Sequence, residues 1–185
     1  MSRIIQLSAA LMVVAACHSV RSDVVEEVVE ERVVSEDANF RVIRVVADLE
    51  HPWSLAFLPD GSLLITERPG RMHRLEGGEL TAISGLPEIT AQGQGGLFDV
   101  LPHPEFAANR LIYFAYSDSY DGGVGTHVSR AVLEDDRLTD VELLFRMDPP
   151  GSGGRHFGGR LAFDATNHLY VTIGDRADRD LAQQL

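Results

Sequence analysis

Two twelve-residue stretches align without a gap: Leu55-Ala-Phe-Leu-Pro-Asp-Gly-Ser-Leu-Leu-Ile-Thr66 and Leu161-Ala-Phe-Asp-Ala-Thr-Asn-His-Leu-Tyr-Val-Thr172. Each is an apolar run, a turn and a second apolar run, the pattern of a β-hairpin. Between them, Val100–Phe114 repeats the hairpin around a longer turn. The strand after the turn begins at Leu63, Leu111 and Leu169, so an antiparallel unit of about 40–50 residues recurs. Sheets repeated at that period are the blades of a β-propeller. A single sandwich needs no repeated motif, and a solenoid rung is shorter. The predicted fold is therefore all-β, a partial β-propeller of about three blades over residues 40–185, whereas closed propellers have about four to eight. The chain is expected to be an N-terminal fragment. Its open blade face and unpaired edges would make it poorly stable or aggregation-prone alone.

The remaining segments fit that frame. Strands are predicted at Phe40–Ala47, Trp53–Leu58, Leu63–Thr66, Arg71–Leu75 and Leu80–Ser84, with turns at Pro59-Asp60-Gly61, Pro69-Gly70 and Gly77-Gly78. Asp118–Gly125 reads as a flexible loop whose aspartates lack the spacing of a calcium loop. The net charge of −12, with every basic residue an arginine, argues against nucleic acid and a polybasic attachment to anionic lipid. The single cysteine, Cys17, excludes an internal disulfide framework and CxxC-type metal sites.

Residues 1–16 carry Arg3 and then the apolar run Ile4–Ala16, an n-region and h-region of a signal peptide. The run closes on Val14-Ala15-Ala16-Cys17, which resembles the bacterial lipobox, in which the cysteine is lipidated and becomes the mature N-terminus. Cys17 is thus the expected lipidation site, with ordinary secretory cleavage as the alternative. Export to the periplasm, with membrane attachment only through the lipid, follows from either the first reading or, without the lipid, the second. Residues 17–39 are then an acidic tether. Its valine and glutamate pairs (Ser22–Asn39) favour an extended, solvated spacer over a short amphipathic helix.

One loop stands apart. Pro149–Leu161 holds five glycines, two prolines and a lone histidine, His156, between Arg155 and Arg160. Imidazole titrates near neutrality, at about 6.5, and suits proton abstraction; the bland alternative is a surface turn with an incidental histidine. His103, between two prolines, is expected to pack a turn. His51, His73, His127 and His168 show no ligand spacing and read as surface or satisfied side chains. Trp53 is expected in the blade core.

The blocks HPWSLAFLPDGSLLITERPGR (51–71), GQGGLFDVLPHPEF (93–106), NRLIYFAYS (109–117), GGRHFGGRLAFD (153–164) and LYVTIGDRADRDLAQQL (169–185) resemble the glucose/sorbosone dehydrogenase family. These are exported six-bladed propellers that use pyrroloquinoline quinone (PQQ), and the resemblance is closest to their aldose sugar dehydrogenase branch. It implies oxidation of an aldose C1 hydroxyl to a lactone, with PQQ as hydride acceptor, Ca²⁺ polarising the quinone, and a quinone or cytochrome as onward electron acceptor. It implies His156 as general base and Gln94 as a cofactor contact near the substrate, both on loops that converge at the hub. Arg160 and Asp175 are candidates for touching cofactor or substrate, Arg160 the stronger for the cofactor; equally they pair with each other or with loop backbone. Two positions depart from the better-studied glucose dehydrogenases. Arg155 stands where an aspartate precedes the histidine, and Asp180 where a substrate-side glutamine is found, so sugar preference does not carry over. The family's calcium ligands and cofactor-clamping cations fall beyond Leu185. Two rival readings are a non-catalytic propeller that binds a partner or glycan, and a calcium-dependent lactonase, which needs inward carboxylates that these loops do not offer.

Overall fold

The structure, a computed structural model, describes residues 27–178 and 180. The expected signal peptide, 1–16, and the lipidation site, Cys17, lie outside the described residues. Strands β3 (Pro52–Phe57), β4 (Leu63–Glu67), β5 (Arg71–Glu76) and β6 (Glu79–Ile83) form one antiparallel meander. A second meander contains β7 (Leu97–Pro102), β8 (Leu111–Tyr120), β9 (Gly123–Glu134) and β10 (Arg137–Arg146), with a single helical turn, α1 (Phe106–Asn109), between β7 and β8. β11 (Gly158–Phe163) and β12 (Leu169–Ile173) begin a third sheet. The three strands expected after the repeated turn begin at Leu63, Leu111 and Leu169, as the repeat requires.

The repeat is physical as well as textual. In the first unit Leu58 donates its N–H to the Ser62 carbonyl at 2.9 Å; in the third, Asp164 does the same to His168 at 3.0 Å. The aligned third turn residues, Gly61 (φ 87°) and Asn167 (φ 65°), both sit in the left-handed region that glycine and asparagine tolerate best. Asp164 receives the N–H groups of Thr166 and His168 at 2.8 and 2.9 Å. Those bonds, with the Thr166 hydroxyl, hold its carboxyl at about 2.

Apolar side chains are buried in two seams. Between the first and second sheets lie Leu64, Met72, Leu97, Val100, Ile112, Phe114 and Leu133 among others. Phe98, Tyr113, Ala115, Val128, Phe157 and Leu161 fill the seam between the second sheet and β11. Successive residues of β8 therefore face opposite cores. β3 has one covered face: Ser54 and Ala56 are buried, while Leu55 and Phe57 stand exposed, Phe57 at 72%.

Three expectations need correction. Asp118–Gly125 is no flexible loop, because β8 runs through Tyr120, β9 starts at Gly123, and Asp121 (φ 46°) and Gly122 (φ 76°) make a two-residue hairpin turn. The strand expected to Ala47 ends at Arg44 (β2, Asn39–Arg44). The described part of the 17–39 tether forms strand β1 (Glu27–Val34), paired antiparallel with β2 rather than standing as a free spacer or a helix.

Candidate functional site

The first strands of the sheets, β3, β7 and β11, lie side by side, and one buried carboxylate fastens all three. Asp99, in the middle of β7, accepts from the Ser54 hydroxyl of β3 at 2.5 Å. From β11 it accepts the Leu161 N–H at 2.8 Å and the Arg160 guanidinium at 3.1 Å. The Arg160 guanidinium also lies over the Trp53 ring, 4.3 Å from its centroid, and Trp53, expected in the blade core, is half-buried and packs against Phe98 at the edge of the seam. Arg160 is therefore committed to the inner strands. It pairs with Asp99, not with Asp175, although 58% of its side chain is still exposed.

Next to these strands, the loop of His156 meets the loop of Gln94. Gln94 donates its backbone N–H to the Gly154 carbonyl at 2.8 Å. Its side-chain Oε1 accepts the His156 backbone N–H at 2.9 Å. The loops can come this close only with glycine at the contact: a Cβ on Gly93 would lie 2.5 Å from the Gly154 carbonyl oxygen. His156 sits at φ 53°, a conformation rare for a residue with a Cβ and often found at functional sites. Gly174 makes room for it, since a Cβ there would overlap the His156 carbonyl oxygen at 1.9 Å.

The His156 side chain is half exposed, and its Nδ1 lies 2.6 Å from Oδ1 of Asp175. A carboxylate accepts only, so this contact puts the ring proton on Nδ1 and leaves Nε2 as the basic nitrogen. The same Asp175 oxygen accepts the Ala177 N–H at 2.9 Å, fixing the carboxylate in its own turn. Gln94, His156 and Asp175 thus come from three separate loops to one corner. Asp180 is exposed and takes no part in these contacts; its N–H reaches Asp178 at 3.3 Å.

The other histidines are used differently. His103 Nδ1 accepts the Glu105 N–H at 3.0 Å, and its ring packs on Tyr113 and Phe163, the turn-packing role expected of it. His127 is buried between Tyr116 and Tyr120, and burial pushes its imidazole below the usual range, toward the neutral form. His73 bonds Glu67 at 2.8 Å and His168 bonds Asp164 at 3.1 Å, while His51 lies exposed. Among the described residues, no group of three or more His, Cys, Asp or Glu is placed to hold a metal ion. An apolar pocket of about 430 Å³, lined by Ile43, Val45, Leu55 and Leu75, lies on the open side of the first sheet and includes neither His156 nor Gln94.

Antiparallel sheets whose first strands lie side by side, with an imidazole, a carboxylate and a carboxamide brought together on the loops beside them, define a β-propeller with a polar corner. The chain belongs to the glucose/sorbosone dehydrogenase family, whose profile matches residues 49–185. It is 45% identical over 150 residues to aldose sugar dehydrogenase YliI of Escherichia coli (strain K12), a match covering 77% of this chain and 40% of that protein. The crystal structure of the soluble aldose sugar dehydrogenase from Escherichia coli in the apo-form matches with a TM-score of 0.71 at 44% identity, covering 74% of this chain and 41% of that one. The PQQ-bound form of aldose sugar dehydrogenase from Streptomyces coelicolor matches with a TM-score of 0.69 at 28% identity, over 76% and 42% of the two chains. The chain spans about two fifths of the length of these relatives.

Proposed function

We propose that this chain contributes the general base and one wall of the cofactor site to a PQQ-dependent aldose dehydrogenase, which oxidises a sugar C1 hydroxyl to a lactone. The observation that carries the reading is the half-exposed His156 ring, held at Nδ1 by Asp175 and anchored at its backbone by Gln94. Removing a proton from a hydroxyl near neutral pH needs an exposed, correctly protonated imidazole within hydrogen-bond reach, and Nε2 of His156 is that group. Asp175 stabilises the imidazolium that forms and holds the ring at its angle, the usual task of a carboxylate behind a histidine base. Oxidation at C1 also releases a hydride, which side chains do not accept; PQQ, when bound, supplies that two-electron acceptor.

The residues present suit a flat, anionic quinone: Gln94 offers an amide at the His156 loop, and the exposed part of the Arg160 guanidinium, beyond its bond to Asp99, offers a cation; both are proposed as its ligands. Ca²⁺ is proposed alongside PQQ from the family resemblance; the described residues converge on no site for it, so no residue here is assigned to it. Export and lipid anchoring at Cys17 are proposed with the same activity, supported by the leader-like sequence of residues 1–17; electron delivery to a quinone or cytochrome is proposed from the family resemblance alone.

The full-length protein, loaded with PQQ and Ca²⁺, is expected to reduce an artificial dye with aldoses and to form a lactone trapped by hydroxylamine. Sugar binding without oxidation under those conditions would favour a non-catalytic propeller instead.

A further inference from the structure

Arg176 follows Asp175 directly, in a turn where Arg176 (φ 55°) and Ala177 (φ 67°) are both left-handed. Its side chain runs inward, and the residue is only 6% exposed. The guanidinium carbon lies over Phe157, 3.5 Å from the ring centroid. Its Nη2 donates to the Val124 carbonyl at 3.1 Å and to the Gly153 carbonyl. Val124 is the residue of β9 that exchanges backbone hydrogen bonds with Gly151, at 2.9 and 3.1 Å. Glycine is needed there, because a Cβ on Gly151 would sit 2.7 Å from the arginine Nε. Among the described residues this cation forms no ion pair with a carboxylate, and its Nε and Nη1 are buried with no hydrogen-bond partner there.

A buried guanidinium with unmet donors and no counter-charge is costly. A cost of that kind marks a residue kept for something other than stability. Arg176 grips the catalytic loop on both sides of His156, at Gly153 before it and Phe157 after it. Its chain neighbour Asp175 holds the ring. We infer that Arg176 is a positioning residue, the pin through which one turn sets both the loop and the ring of His156. The inference rests on the reading of His156 as the base. Lysine cannot replace it, having neither the flat face for Phe157 nor the fork for two carbonyls.

The test uses the full-length, PQQ-loaded protein and the variants R176A and R176K. R176A is expected to lower kcat about 100-fold, the scale of a 1 Å misplacement, with KM within about threefold and the histidine limb of the kcat–pH profile displaced. Added guanidinium ion is expected to recover part of the loss in R176A, and R176K to recover less than about tenfold. Independently of turnover, ¹⁵N spectra of labelled histidine should show the His156 Nδ1–H signal shifted or broadened in R176A. Wild-type kcat, pH profile and His156 signals in R176A, with only a lower melting temperature, would overturn the inference and leave a structural clip. If R176A does not fold, R176K decides by the same readouts. Turnover that survives H156A would overturn the reading of the base and with it this role in turnover; the ¹⁵N readout tells that failure from a failure of Arg176 to hold the ring.

Discussion

Asp99 and Asp175 are both aspartates beside a cationic or basic nitrogen, and the chain uses them in opposite ways. Asp99 is almost fully buried and receives donors from all three inner strands. Its oxygens are taken up by those donors, so it serves as architecture. Asp175 sits at the surface of the same hub and points at a ring that is half in solvent. Its partner is the imidazole proposed as the base. What separates scaffold from chemistry here is what the partner is: a guanidinium keeps its charge, whereas an imidazole can exchange a proton near neutrality.

That contrast can be broken by substitution. The largest effect on stability is expected from Asp99→Ala, which strands the Ser54 hydroxyl, the Leu161 N–H and Arg160; chemical denaturation should show a loss of about 3 kcal/mol. Asp175→Asn should do the reverse, leaving the unfolding midpoint nearly unchanged while kcat of the loaded full-length enzyme falls at least about tenfold through the wrong ring tautomer. A stability loss in Asp175→Asn as large as in Asp99→Ala would erase the distinction.

A third carboxylate sharpens it by pH. Glu67 is buried at the end of β4; burial alone would raise its carboxyl, but Arg71 at 2.6 Å, the Glu50 N–H and His73 at 2.8 Å prevail and hold it at about 2. A depressed carboxyl stabilises the fold above its unfolded value and loses that contribution as pH falls. Acid unfolding should therefore set in between about 4.5 and 2, and Glu67→Gln should flatten that part of the stability curve. The smallest effect is expected on the open face of the first sheet, where Phe57→Ser should change stability of this chain by no more than about 0.5 kcal/mol and lower its binding of a hydrophobic dye.

Much of the fold was legible because hairpins announce themselves locally. The Asp60-Gly61 turn and its aligned copy at Thr166-Asn167 carry their left-handed residues in the sequence, and the strand starts followed. The turn at Asp121-Gly122 carries the same kind of signal, but the polar Ser117-Asp118-Ser119 before it and the glycines after it mask strand ends that are held by cross-strand pairing and are only partly buried. The pairing of β1 with β2 is a contact between segments whose valines and glutamates suit a solvated chain equally well. At the site, His156 and Gln94 could be named from the sequence, but their meeting depends on two loops of adjacent sheets. Asp99 left one trace, a charge inside the apolar run Leu97-Phe-Asp-Val-Leu101, which a buried strand tolerates only when the charge is fully bonded. Arg176 left none, since burial of an arginine in a glycine-lined turn is set by packing across some fifty residues of chain.

The most direct measurement is kcat of His156→Ala in the PQQ-loaded, full-length protein, with circular dichroism as the control for folding. Loss of about 1,000-fold in aldose turnover with an unchanged spectrum is the expected result for a general base. Turnover within a few-fold of wild type would contradict it, and would return the histidine to the status of a loop residue held in place by its neighbours.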